Sequence, residues 1–90
     1  MKIERATDKD LKTRAEILRT IYTRGAEQCR QQESDHRHAA LTAELEAERL
    51  QREGQDTTQE RAGIERHRQI AAEYSRAAAT LEAQAEEVNQ

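Results

Sequence analysis

Phenylalanine, tryptophan and proline are absent from this sequence, tyrosine occurs twice, glycine three times, and cysteine and methionine once each. Each shortage excludes something. Without proline, no residue breaks a helix by its own ring. With Tyr22 and Tyr74 as the only aromatic residues, there is no stacking platform for single-stranded nucleic acid and no bulky aromatic core. A lone Cys29 closes no internal disulfide. No apolar run exceeds three residues, as in Ala77 to Ala79, so no segment has the length to span a bilayer. The opening Met1-Lys2-Ile3-Glu4-Arg5 also lacks the apolar stretch of a signal peptide, and a cytoplasmic protein is expected.

Charge of one sign is missing too. The net charge of −3 argues against a simple polyanion ligand and against mimicry of nucleic acid, both of which go with a large single-signed field. Residues 1–37 hold nine Lys/Arg and seven Asp/Glu, residues 38–60 two and six, and residues 61–90 four and five. The opening segment is mildly basic and the middle acidic.

What remains is Ala, Glu, Gln, Arg and Leu, the strongest helix formers, in a chain of 90 residues of which 37% are charged. A chain this short buries a modest fraction of its surface when folded alone. The composition is that of long, exposed helices, and an all-α fold is expected.

Thr7-Asp8-Lys9-Asp10 offers a helix start, with a capping hydroxyl and acidic residues at the positive end of the helix dipole. From there Leu11, Ala15, Leu18, Tyr22, Gly25 and Cys29 alternate by four and three, the seam of a coiled coil. In the same register the seam meets Gln32, His36, Ala39, Ala43, Glu46 and Leu50, and is weak there. Either the helix continues or it breaks near 33–35, where Ser34 or Asp35 would cap a restart. Gly54-Gln55-Asp56-Thr57-Thr58 pools turn formers, and Thr57-Thr58-Gln59-Glu60 matches a capping box. The last segment has the cleanest pattern: Ile64, His67, Ala71, Tyr74, Ala78, Leu81, Ala85 and Val88.

These signals predict one helical domain spanning 1–90: an arm over 7–52, a turn over 53–57 and an arm over 58–89. The arms form a long antiparallel hairpin of coiled-coil type, completed by dimerisation into a bundle; the alternative is a three-helix bundle with its break near 33–35. The predicted seam uses Leu11, Ala15, Leu18, Ile64, Ala71, Tyr74, Ala78, Leu81 and Val88.

Chemistry is scarce. His36 and His38 lie about 200° apart on a helix, so with Cys29 they make a poor zinc site, and Glu33-Ser34-Asp35-His36 supplies one E-x-x-H where a di-metal bundle needs two. Cys29 on the seam reads as a small buried hydrophobe. His67 would be pH-sensitive if an acid such as Glu46 or Glu53 lay opposite. There is no Gly-rich phosphate loop, no paired carboxylate in an apolar setting and no Ser/His/Asp arrangement. Neither catalysis nor a cofactor or metal is expected.

A non-enzymatic module for protein–protein interaction is the expected function, an adaptor or inhibitor of a larger complex. It would act as a homodimer, with Ile17, Tyr22, Leu41 and Leu45 as partner-binding residues. The alternative is an accessory protein of a plasmid or phage that contacts nucleic acid through Arg61, Arg66 and Arg68, a basic cluster partly neutralised by Glu60 and Glu65.

Overall fold

The structure, a computed structural model, describes residues 7–88. Two helices account for nearly all of it: α1, Asp8–Arg52, and α2, Thr58–Val88. They run antiparallel in an extended body of 77 × 22 × 14 Å. The radius of gyration is 21.5 Å, against about 12 Å for a compact chain of this length.

Thr7 starts α1 as expected. Its hydroxyl accepts from the Asp10 backbone N–H at 3.2 Å, and the Asp10 carboxylate accepts from the Thr7 backbone N–H at 3.2 Å. The helix then passes without interruption through 33–35, which overturns the three-helix alternative. Local pairs hold that stretch in place: Arg30 and Arg37 both reach Glu33, and Gln31 donates to Asp35 at 2.9 Å. With neither Gly nor Pro there, spacings of three and four satisfy the polar side chains best on a continuous helix.

The end of α1 is a Schellman motif. Gln55 N–H bonds to the Leu50 carbonyl and Gly54 N–H to the Gln51 carbonyl, both at 3.0 Å, and Gly54 adopts the left-handed φ of +76° that this geometry demands. At the start of α2 the expected capping box is absent. The Asp56 carboxylate takes the Thr58 backbone N–H at 3.0 Å instead. The Thr57 hydroxyl accepts from Arg61 Nε at 3.0 Å, and Glu60 Oε2 is buried without a hydrogen-bond partner. Asp56 thus accepts at the helix start in place of Thr57, whose hydroxyl is engaged by Arg61. The arm expected to reach 89 ends at Val88 in α2; position 89 lies outside the described residues.

Burial follows two lines on each helix. The inner line of α2 is Thr57, Ile64, Ala71, Ala78 and Ala85, seven residues apart and buried except for half-buried Ala85; its flanking line is Glu60, His67, Tyr74, Leu81 and Val88, all half-buried. That pattern agrees with the sequence. On α1 the flanking line of Ala15, Tyr22, Cys29, His36, Ala43 and Leu50 also lies on the seam. The inner line, however, is Ala26, Glu33, Ala40 and Ala47, one residue on from the predicted Gly25, Gln32, Ala39 and Glu46.

This shift corrects two seam residues, Leu11 and Leu18, which are 51% and 38% exposed. Alanine on both inner lines lets the backbones approach closely, which a leucine there would prevent, so the leucines fall to the side. Leu11 also lies beyond the described end of α2. Gly25 stands against Leu81, whose Cδ1 is 3.1 Å from where a β-carbon at 25 would be; continued outward, that register brings Val88 level with Leu18.

Two substitutions test this packing. Ala78, fully buried, is expected to lose about 1–3 kcal/mol of stability on Ala78→Leu, because the added methylenes wedge the helices apart. Gly54→Ala should cost about 1 kcal/mol through its positive φ alone. Both read out as a lowered thermal midpoint by circular dichroism.

Candidate interaction surfaces

The two flanks of the hairpin differ in chemistry. On one, side chains bridge the helices by charge. Arg30 Nη2 meets Glu82 at 2.7 Å and Arg30 Nη1 donates to Ser75 Oγ at 3.2 Å. Arg68 pairs with Glu44, and Arg61 donates to Gln51 at 2.7 Å. Glu33 sits at the root of this network on the inner line, its side chain 12% exposed and shared between Arg30 and Arg37. The hydrogen bond from Arg30 holds the Glu33 carboxyl below the ordinary glutamate range, reinforced by the charge of Arg37 and by Ser75 and opposed by burial.

The other flank is apolar. Leu11, Leu18 and Ile21 lie on it at the open end, Ile70 and Leu50 toward the turn, with Tyr22, Tyr74, Leu81 and Val88 between. Within α1 from Leu11 onward and within α2, the rows that hold Leu11, Leu50, Ile70 and Val88 carry Glu46 and Glu60 as their charged residues, while Ile21 stands at the outer edge in the row of Arg14, Asp35 and Arg49. At its middle His36 Nδ1 lies 2.9 Å from His67 Nδ1, and the His36 ring stacks on Tyr74 with centroids 5.9 Å apart. One histidine must carry the bridging proton and the other accept it. Among the described residues the group that meets His67 across the seam is the imidazole of His36, where Glu46 or Glu53 was expected.

Histidine and cysteine do not combine into a metal site. Glu33 turns to the arginines while His36 turns to His67, and among the described residues no three His, Cys, Asp or Glu side chains group around a point where an ion would sit. A hollow of 770 Å³ forms an open trough on the charged flank, floored by Ala26, Ala79 and Ala83. Among the described residues no helix is long and apolar enough to cross a membrane.

The residues expected to bind a partner fall on different surfaces. Leu41, 55% exposed, lies on the charged flank beside Arg37 and Arg68. Leu45 and Ile17, 61% and 56% exposed, point outward from the back of α1, and Tyr22 is half-buried on the apolar flank. Nor do the three arginines of the nucleic-acid alternative form one patch. Arg61 and Arg68 are engaged with Thr57, Gln51 and Glu44, and Arg66 lies around the helix from both. Missed in the sequence was the inner line of α1, which sets the flank of Gly25 and Ile70 to one side of the seam. Its signal was present in the seven-residue repeat of Ala26, Ala40 and Ala47, which mirrors Ala71, Ala78 and Ala85.

Comparison with family models, curated proteins and solved structures finds no match.

Two expectations follow from the polar residues. Because folding lowers the Glu33 pKa, its carboxylate favours the hairpin above the ordinary glutamate value of about 4.3, and this contribution fades as pH falls through the folded-state value. Glu33→Gln should therefore flatten the acid limb of the thermal midpoint between about pH 5 and pH 3; a limb identical to wild type would detach Glu33 from acid stability. For the histidines, His36→Leu alone leaves a half-buried His67 without its partner and should cost about 1–2 kcal/mol, whereas His36→Leu with His67→Leu should be neutral or stabilising. Chemical denaturation of the three proteins side by side reads the difference.

Proposed function

We propose that this chain is a non-enzymatic helical interaction module, an adaptor or inhibitor within a larger protein complex, that works as a homodimer. The observation that carries this reading is the number of large aliphatic side chains the hairpin leaves unused. Leu11, Ile17, Leu18, Ile21, Leu41 and Leu45 are each more than a third exposed, whereas the residues buried between the helices are chiefly alanines. A soluble chain that spends alanine on its own core and presents leucine and isoleucine outward has its larger contacts with other chains. Its shape suits that role, since a narrow rod displays most of its residues to a partner.

Nucleic-acid binding is the weaker reading, because Arg61 and Arg68 already have partners and the opposing acids leave no continuous basic surface. The residues assigned to a protein partner are Leu41 and Leu45, one turn apart and exposed on α1. Leu41→Lys with Leu45→Lys is expected to keep the helical signal and lose the proteins that wild type retains from a lysate of its native host. Retention of the same proteins by the double variant would remove these leucines from the contact. Separately, measurable retention on DNA at low salt that falls steeply as salt rises would favour the nucleic-acid reading instead.

A further inference from the structure

We propose that two copies pack their apolar flanks together with their turns at opposite ends, forming a four-helix bundle in which each α1 lies antiparallel on its partner's α1. This rests on the dimeric reading above and adds to it a face, an orientation and a division of labour between the two flanks.

The face is chosen by what each flank already does. The charged flank closes on itself through Arg30–Glu82, Arg68–Glu44 and Arg61–Gln51, and covering it would strip water from those pairs for little apolar gain. The opposite flank holds Tyr22, Leu50, Ile70, Tyr74, Leu81 and Val88 half-buried at its edge, with Leu18 and Ile21 open beside them. Gly25 and Gly63 lie in the same rows. A β-carbon on Gly63 would meet open space beyond its own helix backbone, so a second copy can approach closely there. This is half of a bundle core: one layer of two helices whose large residues face the missing layer.

The area fits a second copy. The chain exposes 7443 Å², about 2,000 Å² more than a compact protein of its mass would expose. A standard interface takes about 800 Å² from each partner, well within that surplus.

Orientation follows from length and charge. Among the described residues α1 outruns α2 at the open end, leaving Leu11 with no helix across from it. If both turns were at the same end, each α1 would stack on the partner's α2, whose described residues stop short of Leu11. With turns at opposite ends each α1 stacks on an α1, and the overhang lies level with the stretch from Ala43 to Leu50 of the second copy. The same arrangement sets the mildly basic start of α1, with seven basic and six acidic side chains over residues 8–37, toward the partner's acidic stretch over residues 38–60, which holds two basic and six acidic ones. The reverse arrangement would set acidic turn against acidic turn. Leu41, Leu45 and Ile17 stay on the outside of this bundle, free for a different partner.

The test is solution mass by analytical ultracentrifugation from about 1 to 100 μM, on wild type, Leu18→Glu, Ile70→Glu and Leu41→Glu, with helicity recorded for each. Wild type should sediment as twice 10.3 kDa. Leu18→Glu and Ile70→Glu should weaken dimerisation about a hundredfold or more, as expected for a buried charge, and Leu41→Glu should leave it unchanged. A wild-type monomer throughout would overturn both the dimeric reading and this proposal. A dimer that survives Ile70→Glu and dissociates with Leu41→Glu would overturn the face alone.

Should Ile70→Glu lose its helicity, nitroxide labels decide without it. With Cys29→Ser and a label on Arg14→Cys, the two labels of a dimer should stand about 50 Å apart, and pairing that protein with one labelled at Glu53→Cys should give a short distance. Two Arg14 labels close together would contradict the orientation.

Discussion

Two helices can bury only what their distance of approach allows, and here that distance is set by alanine. Ala26, Ala40 and Ala47 on one helix and Ala71 and Ala78 on the other are buried to within a few per cent. Small residues at these levels bring the backbones close and give extended contact over a long seam, but each contact removes little apolar surface from water. Everything else in the molecule answers to that choice. Ile64 apart, the larger apolar residues line the edges of the seam, and the hairpin acquires an apolar side that it does not itself cover.

Polar chemistry fills the gap between the two sides. Glu33 takes an inner-line position where alanine would be expected, and its two arginines tie the helix to itself while Arg30 reaches across to Ser75 and Glu82. A polar group at such a level fixes register, because sliding one helix by a turn would strand the carboxylate among alanines. On the other flank His36 and His67 fix the same register through one shared proton. The two polar contacts thus specify alignment at the middle of a seam whose alanines, being alike, would tolerate several.

Much of this architecture was legible in the residues. The arms, their turn and the seam of α2 follow from the pattern of Ile64, Ala71, Ala78 and Leu81 and from the turn formers around Gly54. The flanking line of α1 was legible as well. The inner line was not, because hydrophobicity alone ranks Leu11 and Leu18 above Ala26 and Ala40, and only the close approach of a second helix reverses that ranking. The supposed break at 33–35 failed for a related reason: Ser34 and Asp35 favour caps in isolation, but Gln31, Glu33 and Arg37 supply side-chain partners that keep the helix intact. The binding residues were the least legible, since whether Leu41, Leu45, Ile17 and Tyr22 share a surface depends on where α2 lies around α1.

The account holds that this hairpin is one layer of a larger core and gains stability when its apolar side is covered by a second copy. The most direct measurement is the thermal midpoint by circular dichroism over a hundredfold range of protein concentration. A midpoint that climbs steadily with concentration is the predicted result, since association stabilises only the folded chain. A midpoint independent of concentration, with full helicity at the lowest dilution, would mean that the alanine seam suffices alone, and would contradict the account.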